Sequence, residues 1–149
     1  VKTNPGAEWG GLGVIASGGE LARFALALKA ALSTRGGPEL ATLVMIFDEV
    51  DQGVGGAVAD AVGLRLKRLA ERSQVIVVTH SPQVAARGDQ HLKVSKSVYG
   101  ADGTESVKST VQQLDEAETL EELARMLAGA EITPEARAAA QRLRAAELV

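Results

Sequence analysis

Leu43-Val44-Met45-Ile46-Phe47-Asp48-Glu49 is an apolar run that stops abruptly on two carboxylates. A second run, Val75-Ile76-Val77-Val78, stops on Thr79-His80. Short uninterrupted apolar runs bounded by polar residues read as strands buried on both faces. The amphipathic segment between them, from about Ala57 to Arg72, reads as a helix. Strand, helix and strand in that order predict an α/β fold built on a βαβ unit with a parallel sheet, so that both strands present their carboxyl ends on one side. Asp48, Glu49 and His80 are therefore expected at one crevice, where open α/β sheets bind ligands.

The whole chain bounds this reading. Its 149 residues, 46% of them hydrophobic, predict one domain with one compact core. Aromatic residues make up only 3%, so that core is built from Leu, Val, Ile and Ala, and a row of rings for stacking single-stranded bases is excluded. A net charge of −3 gives no global attraction for phosphate backbones or anionic membranes. Local basic groups, at Arg65, Lys67, Arg68 and Arg72 and again at Arg137, Arg142 and Arg144, sit in helical patterns. They read as solvated faces, with a DNA contact as the alternative. The absence of cysteine excludes a disulfide framework and a thiolate metal site. No apolar stretch approaches the roughly 20 residues that span a bilayer, and no signal peptide is visible, so a soluble protein is expected. The chain opens at Val1 and runs into Asn4-Pro5-Gly6, as a segment cut from a longer polypeptide does. A processed or engineered terminus looks the same.

A helical pattern starts at Ser17, carries Leu21, Ala25, Leu28 and Leu32 on one stripe, and stops at Gly36-Gly37-Pro38. After the first strand comes a turn through Gly53, Gly55 and Gly56, then the helix with Val58, Val62, Leu66 and Leu69 as its apolar stripe. Ser81-Pro82 opens a short element that runs through Ala86 and is closed by Gly88. Residues 91–98 and 105–111 alternate about the loop 99–104, the pattern of a β-hairpin. Thr119 with Glu122 forms a candidate capping box ahead of Leu120, Leu123 and Leu127, and Thr133-Pro134 supplies an N-cap followed by proline in the first turn of a last helix.

Three constellations carry chemistry. In Ser17-Gly18-Gly19-Glu20, serine followed three residues later by glutamate is a capping box. The two glycines go beyond capping: each costs about 1 kcal/mol relative to alanine in a helix, and their missing Cβ atoms open the N-terminal N–H groups to an anion. A phosphate-binding turn accounts for them better. Asp48-Glu49 reads either as a solvated loop or as a pair balanced by a cation. Magnesium arriving with a phosphate ligand suits the second reading, since it keeps several waters and takes one or two carboxylates, leaving the other acid to polarise an attacking water. His80 taken alone reads as a satisfied structural residue, and its place at the end of the parallel strand brings a functional reading level with that one. Thr79 offers either a hydroxyl or mere β-propensity, and Asp51 reads equally as a loop-shaping carboxylate or a partner contact. The loop G-x-x-x-x-G-K-[ST] is absent, so this chain by itself is expected to hold ATP poorly and to be inactive in isolation.

These motifs together resemble the C-terminal half of an ABC-type ATPase head. A signature turn (Ala16-Ser17-Gly18-Gly19-Glu20), a Walker B strand (residues 43–49), a D-loop around Asp51 and a switch histidine (His80) stand in the expected order. Among such heads the chain closely resembles the bacterial RecN family of SMC-like DNA repair proteins. The resembling stretches include Ile46-Phe47-Asp48-Glu49-Val50-Asp51, Thr79-His80-Ser81-Pro82-Gln83-Val84-Ala85 and Glu122-Leu123-Ala124-Arg125-Met126-Leu127. The resemblance implies a phosphate loop on an N-terminal Walker A lobe, separated by a long coiled coil. It also implies ATP and Mg²⁺ as cofactors, a second head in a nucleotide-sandwich dimer, and action on DNA, double-stranded ends in particular, in break repair and recombination. The setting it implies is the bacterial cytoplasm near the nucleoid, without a membrane. Carried over by position, Ser17, Gly18 and Gly19, in the turn that Glu20 completes, bind the γ-phosphate across the dimer. Asp48 serves Mg²⁺ through water, Glu49 is the general base, His80 contacts the γ-phosphate, and Asp51 joins the nucleotide-binding set through the loop that couples the two sites. Ala16 and Glu20 stand where transporter signatures have Leu and Gln, and Ser81 follows the histidine where many relatives have Leu. Two alternatives remain: a non-catalytic, nucleotide-dependent dimerisation or scaffold module, and a stand-alone metal hydrolase using Asp48, Glu49, Asp51 and His80.

Overall fold

The computed structural model describes Leu26, Ala27 and residues 43–100, 106–129 and 131–146. The helical pattern from Ser17, its stripe and its glycine stop fall outside these residues, apart from Leu26 and Ala27, which are helical. Where length alone predicts a single core, the chain divides into two compact units, one reaching Arg87 and the other spanning Gly88–Ala146.

In the first unit, β1 (Val44–Asp48) pairs in parallel with β2 (Gln74–Val78), in a register that runs from Val44 opposite Gln74 to Asp48 opposite Val78. The crossover between them is α1 (Gly56–Ala70). Residues Ala59, Val62, Leu66 and Leu69 of α1 close over Met45 and Phe47 of β1, with Leu26, Val50 and Val84 completing the core and Val75 and Val77 packed against it. The expected stripe is right except at its start, where Val58 is exposed and Ala59 is buried. The basic residues Arg65, Lys67 and Arg68 face solvent, as the amphipathic pattern requires.

The expectation that both strands are buried on both faces is not met. Burial in β1 alternates, and Val44 (51% exposed), Ile46 (64%), Ile76 (42%) and Val78 (54%) form an open apolar face. The physical reason is that α1 supplies one covering layer, and side chains on a strand alternate between faces. The apolar run is written for two layers, and the described residues provide one.

A short helix, α2 (Pro82–Ala85), follows β2 and packs on α1. Their approach depends on Gly63, where a Cβ would lie 2.9 Å from Arg87 Cγ, 3.2 Å from the Gln83 carbonyl oxygen and 3.2 Å from Val84 Cα. Arg87 is buried at that contact and reaches Asp60 through Nη2 at 2.6 Å and Nε at 3.1 Å. Gly63→Ala is expected to destabilise the protein by about 1–3 kcal/mol through overpacking, read as a lower urea midpoint. An unchanged midpoint would show that the helices can separate at no cost.

The second unit pairs β3 (His91–Tyr99) with β4 (Ser106–Leu114) antiparallel, in register from His91 opposite Leu114 to Tyr99 opposite Ser106. The hairpin expectation holds, with β4 running three residues beyond the predicted end at 111. Leu92, Val94, Val98, Val107 and Val111 share an exposed face of it. Next come α3 (Glu116–Ala128) and α4 (Pro134–Ala145), which pack through Leu123, Ala124, Ala136 and Ala140.

The start of α3 corrects the predicted capping box. Asp115 is the N-cap: its carboxylate accepts from the Glu118 N–H at 2.8 Å, and Glu118 accepts from the Asp115 N–H at 2.9 Å. Thr119 is buried inside the helix instead. Both pairs have the same spacing, and the hairpin's end at Leu114 selects the earlier one. Thr133 caps α4 as expected, accepting from the Ala136 N–H at 3.2 Å with Pro134 in the first turn. Arg137 pairs with Glu121 and Arg144 with Glu116, so these two cations are engaged by acids of the same unit. Among the described residues no helix is long and apolar enough to cross a membrane.

Glu122 holds the hairpin to α3. It accepts from Arg125 at 2.6 Å and from Lys93 at 2.5 Å. The Arg125 hydrogen bond is the main reason that its carboxyl lies below the ordinary carboxylate range, with Lys93 adding to it against the cost of burial. A carboxyl depressed in the folded state holds fewer protons there than when unfolded, so its contribution is present above the unfolded value near 4.3 and is lost as pH falls through the folded one. Replacing it by Gln in Glu122→Gln should flatten the acid limb of a stability-versus-pH curve. A limb identical to the parent's would assign that limb to other carboxyls.

Candidate functional site

The site begins where β1 ends. Asp48 is the last strand residue, and the next N–H, that of Glu49, donates to the Val78 carbonyl at 3.1 Å. The acidic pair is thereby tied to the end of β2, immediately before Thr79 and His80. Asp48, Glu49 and His80 are all solvent-exposed at this carboxyl edge. This is the juxtaposition expected from two parallel strands.

Glu49 takes a left-handed conformation, with φ of +50°. For a residue with a Cβ this costs about 1–2 kcal/mol, and Glu lacks the short side chain that lets Asn or Asp ease it. The chain then turns tightly, with the Gln52 N–H donating to the Glu49 carbonyl at 3.0 Å and the Val54 N–H to the Asp51 carbonyl at 3.2 Å. Gly53, at φ of +74°, permits that path. Burial of Val50, 1% exposed, holds the turn down against the strain at its neighbour.

Asp51 differs from the two acids before it. It is 1% exposed, and its Oδ2 accepts from Thr79 Oγ1 at 2.5 Å and from the Ser81 N–H at 3.2 Å. The Ser81 N–H is shared with Thr79 Oγ1 at 2.9 Å, which closes a three-membered network around the residue between them, His80. Asp51 Oδ1 has no partner among the described residues. Of the two readings open for Asp51, the loop-shaping one describes these contacts. Thr79 uses its hydroxyl rather than serving β-propensity alone. The Ser81 hydroxyl donates to Gln83 Oε1 at 2.9 Å, within the start of α2.

Sequence reading missed the Thr79–Asp51–Ser81 network. The available signal was chemical: an aspartate in a turn beside buried residues needs donors, and the hydroxyls and amides at the end of the neighbouring strand are the nearest supply. Ser17, Gly18, Gly19 and Glu20 lie outside the described residues. Among the described residues no group of three or more His, Cys, Asp and Glu is arranged to hold a metal ion. A pair of exposed neighbouring carboxylates suits a cation that keeps most of its water, which is the preference of Mg²⁺ and not of zinc. A groove of about 430 Å³ belongs to the second unit, is lined by Lys93, Gln112, Glu118 and Arg125 among others, and contains none of the predicted site residues.

No family model matches the chain. Individual relatives do. The DNA repair protein RecN of Rickettsia bellii is 47% identical over 142 residues, 95% of this chain and 24% of that protein. RecN of Xylella fastidiosa strain 9a5c is 49% identical over 144 residues, 96% of this chain and 24% of that protein. RecN of Halalkalibacterium halodurans is 43% identical over 133 residues, 89% of this chain and 22% of that protein. The chain thus spans about a quarter of the length of the curated relatives it matches. A solved SMC ATPase, from work on ATP-driven dimerization and DNA-stimulated activation, matches with a TM-score of 0.52 and 26% identity over 78% of this chain and 65% of that one. Parallel core strands with flanking helices are here the architecture of an SMC- and ABC-type ATPase head.

The strain at Glu49 is measurable. Glu49→Asn, with a residue tolerant of left-handed backbone, is expected to raise the unfolding free energy by about 0.5–1 kcal/mol. Unchanged or lower stability would show that the turn holds no strain at this residue.

Proposed function

The chain belongs to the bacterial RecN family, of whose members it spans about a quarter, and from that premise we propose that it forms the C-terminal half of an ATPase head acting in DNA double-strand break repair and recombination. The observation that carries this reading is the parallel pairing of β1 with β2, which delivers Asp48, Glu49 and His80 to one exposed edge. The open face of the same two strands supports it. Val44, Ile46, Ile76 and Val78 suit burial beneath a further layer, worth about 1 kcal/mol for each half-exposed side chain. An N-terminal Walker A lobe, joined through a coiled coil, is the layer proposed. By this reading the chain acts only within a complete head and a head dimer, in the bacterial cytoplasm at the nucleoid, on DNA and on double-stranded ends in particular.

Bound Mg²⁺-ATP supplies the electrophilic phosphorus and a cation that offsets charge on the phosphate oxygens. The residues of this chain do the positioning. Asp48 takes the cation's water shell, as an exposed strand-end carboxylate can. Glu49 orients the attacking water and accepts its proton, its left-handed backbone fixing it at the turn. His80 donates to a γ-phosphate oxygen from the neighbouring strand. Ser17, Gly18 and Gly19, in the turn completed by Glu20, offer hydroxyl and backbone N–H donors to the phosphate held by the second head. The loop of Asp51 lies beside the dimer contact and couples the two sites.

Glu49→Gln in the full-length protein keeps size and hydrogen bonding while removing the base. Turnover should fall by at least about a hundredfold, with nucleotide binding retained. Turnover at the parent rate would remove Glu49 from the mechanism. Ser17→Arg should block ATP-dependent head dimerisation, whereas an inert scaffold would dimerise regardless.

A further inference from the structure

Asp51 sits two residues after Glu49, but all the hydrogen bonding of its side chain among the described residues goes to the other strand's loop. One oxygen, Oδ2, holds the residue before His80 through the Thr79 hydroxyl and the residue after it through the Ser81 N–H. The carboxyl group is buried, where such bonds are stronger than in water and their loss leaves a polar group unsatisfied. His80 itself remains exposed between the two anchored neighbours. We infer that Asp51 is a positioning residue for His80: its buried carboxylate grips both neighbours of the imidazole and makes the turn of Glu49 and the loop of His80 a single body.

The grip has a geometric purpose. Glu49 and His80 must address the same phosphate from two strands, and the bond from the Glu49 N–H to the Val78 carbonyl fixes only the strand ends. Beyond Val78 the chain leaves the sheet, and from Ser81 onward it is held by α2, whose first turn has the Ala85 N–H donating to the Ser81 carbonyl at 3.0 Å. Thr79 and His80 lie in the gap between these supports. Asp51 bridges that gap, tying the acidic turn to the loop that carries the imidazole. The kinetic consequence rests on the ATPase reading above; the grip does not.

Thr79→Val tests it in the full-length protein, because valine keeps the shape and removes the hydroxyl, while Thr79→Ser keeps the hydroxyl. Hydrogen exchange at the Ser81 amide should speed up in Thr79→Val and stay near the parent rate in Thr79→Ser. In Thr79→Val kcat should fall about tenfold with KM changed less than about twofold, the pattern of a misplaced transition-state contact. Thr79→Ser should retain kcat, and Thr79→Val should have no further effect once His80→Ala is present. Independent, multiplying effects of Thr79→Val and His80→Ala would overturn the inference, and so would unchanged Ser81 exchange in Thr79→Val. Parent-like turnover in His80→Ala would remove the proposed role of His80 in hydrolysis. The grip would then stand or fall on Ser81 exchange alone.

Discussion

The parallel register of β1 and β2 is the constraint on which the rest of the first unit depends. With Asp48 opposite Val78, both strands leave the sheet at the same level, and the acidic turn beyond β1 meets the His80 loop beyond β2. Burial enforces the register. Sliding β1 by one residue would move Met45 and Phe47 out from under α1 and bring Val44 and Ile46 in their place. Fully buried side chains of this size contribute about 1.5–3 kcal/mol each. That exceeds the strain of about 1–2 kcal/mol that a left-handed residue such as Glu49 carries. Packing therefore wins, and the acidic turn stays strained at the edge of a well-buried strand.

The three acids of this turn look alike in sequence but divide the labour between them. Asp48 and Glu49 stay exposed, and Asp51 is buried and bonded to the opposite loop. The distinction turns on partners 28 and 30 residues away, which local pattern does not reveal. In the second unit, Arg137 and Arg144 are basic residues that composition alone could assign to phosphate backbones. In the structure they pair with Glu121 and Glu116 of the same unit.

The two strands, their crossover helix, the hairpin and the proline-started last helix were legible because each rests on short-range pattern: apolar runs, helical spacing, alternation and an N-cap followed by proline. Three features were not. Val58 and Ala59 both lie near the apolar stripe, and the start of α1 rotates the smaller residue inward. Thr119-Glu122 and Asp115-Glu118 carry the same capping spacing, and the end of β4 decides between them. Burial on both faces of the sheet is encoded in the apolar runs but depends on a second layer, and α1 is a single layer. Of the candidate site, the edge that unites Asp48, Glu49 and His80 was legible from strand order, whereas the Thr79–Asp51–Ser81 network was not. The Ser17 to Glu20 turn lies outside the described residues.

The most direct measurement is a crystal structure of the full-length head with Mg²⁺ and a slowly hydrolysed ATP analogue. The Glu49 carboxylate and the His80 imidazole are expected on the same γ-phosphate, with Asp51 still bonded to Thr79 and Ser81. A nucleotide seated away from this edge, or one that meets Glu49 while His80 faces solvent, would contradict it.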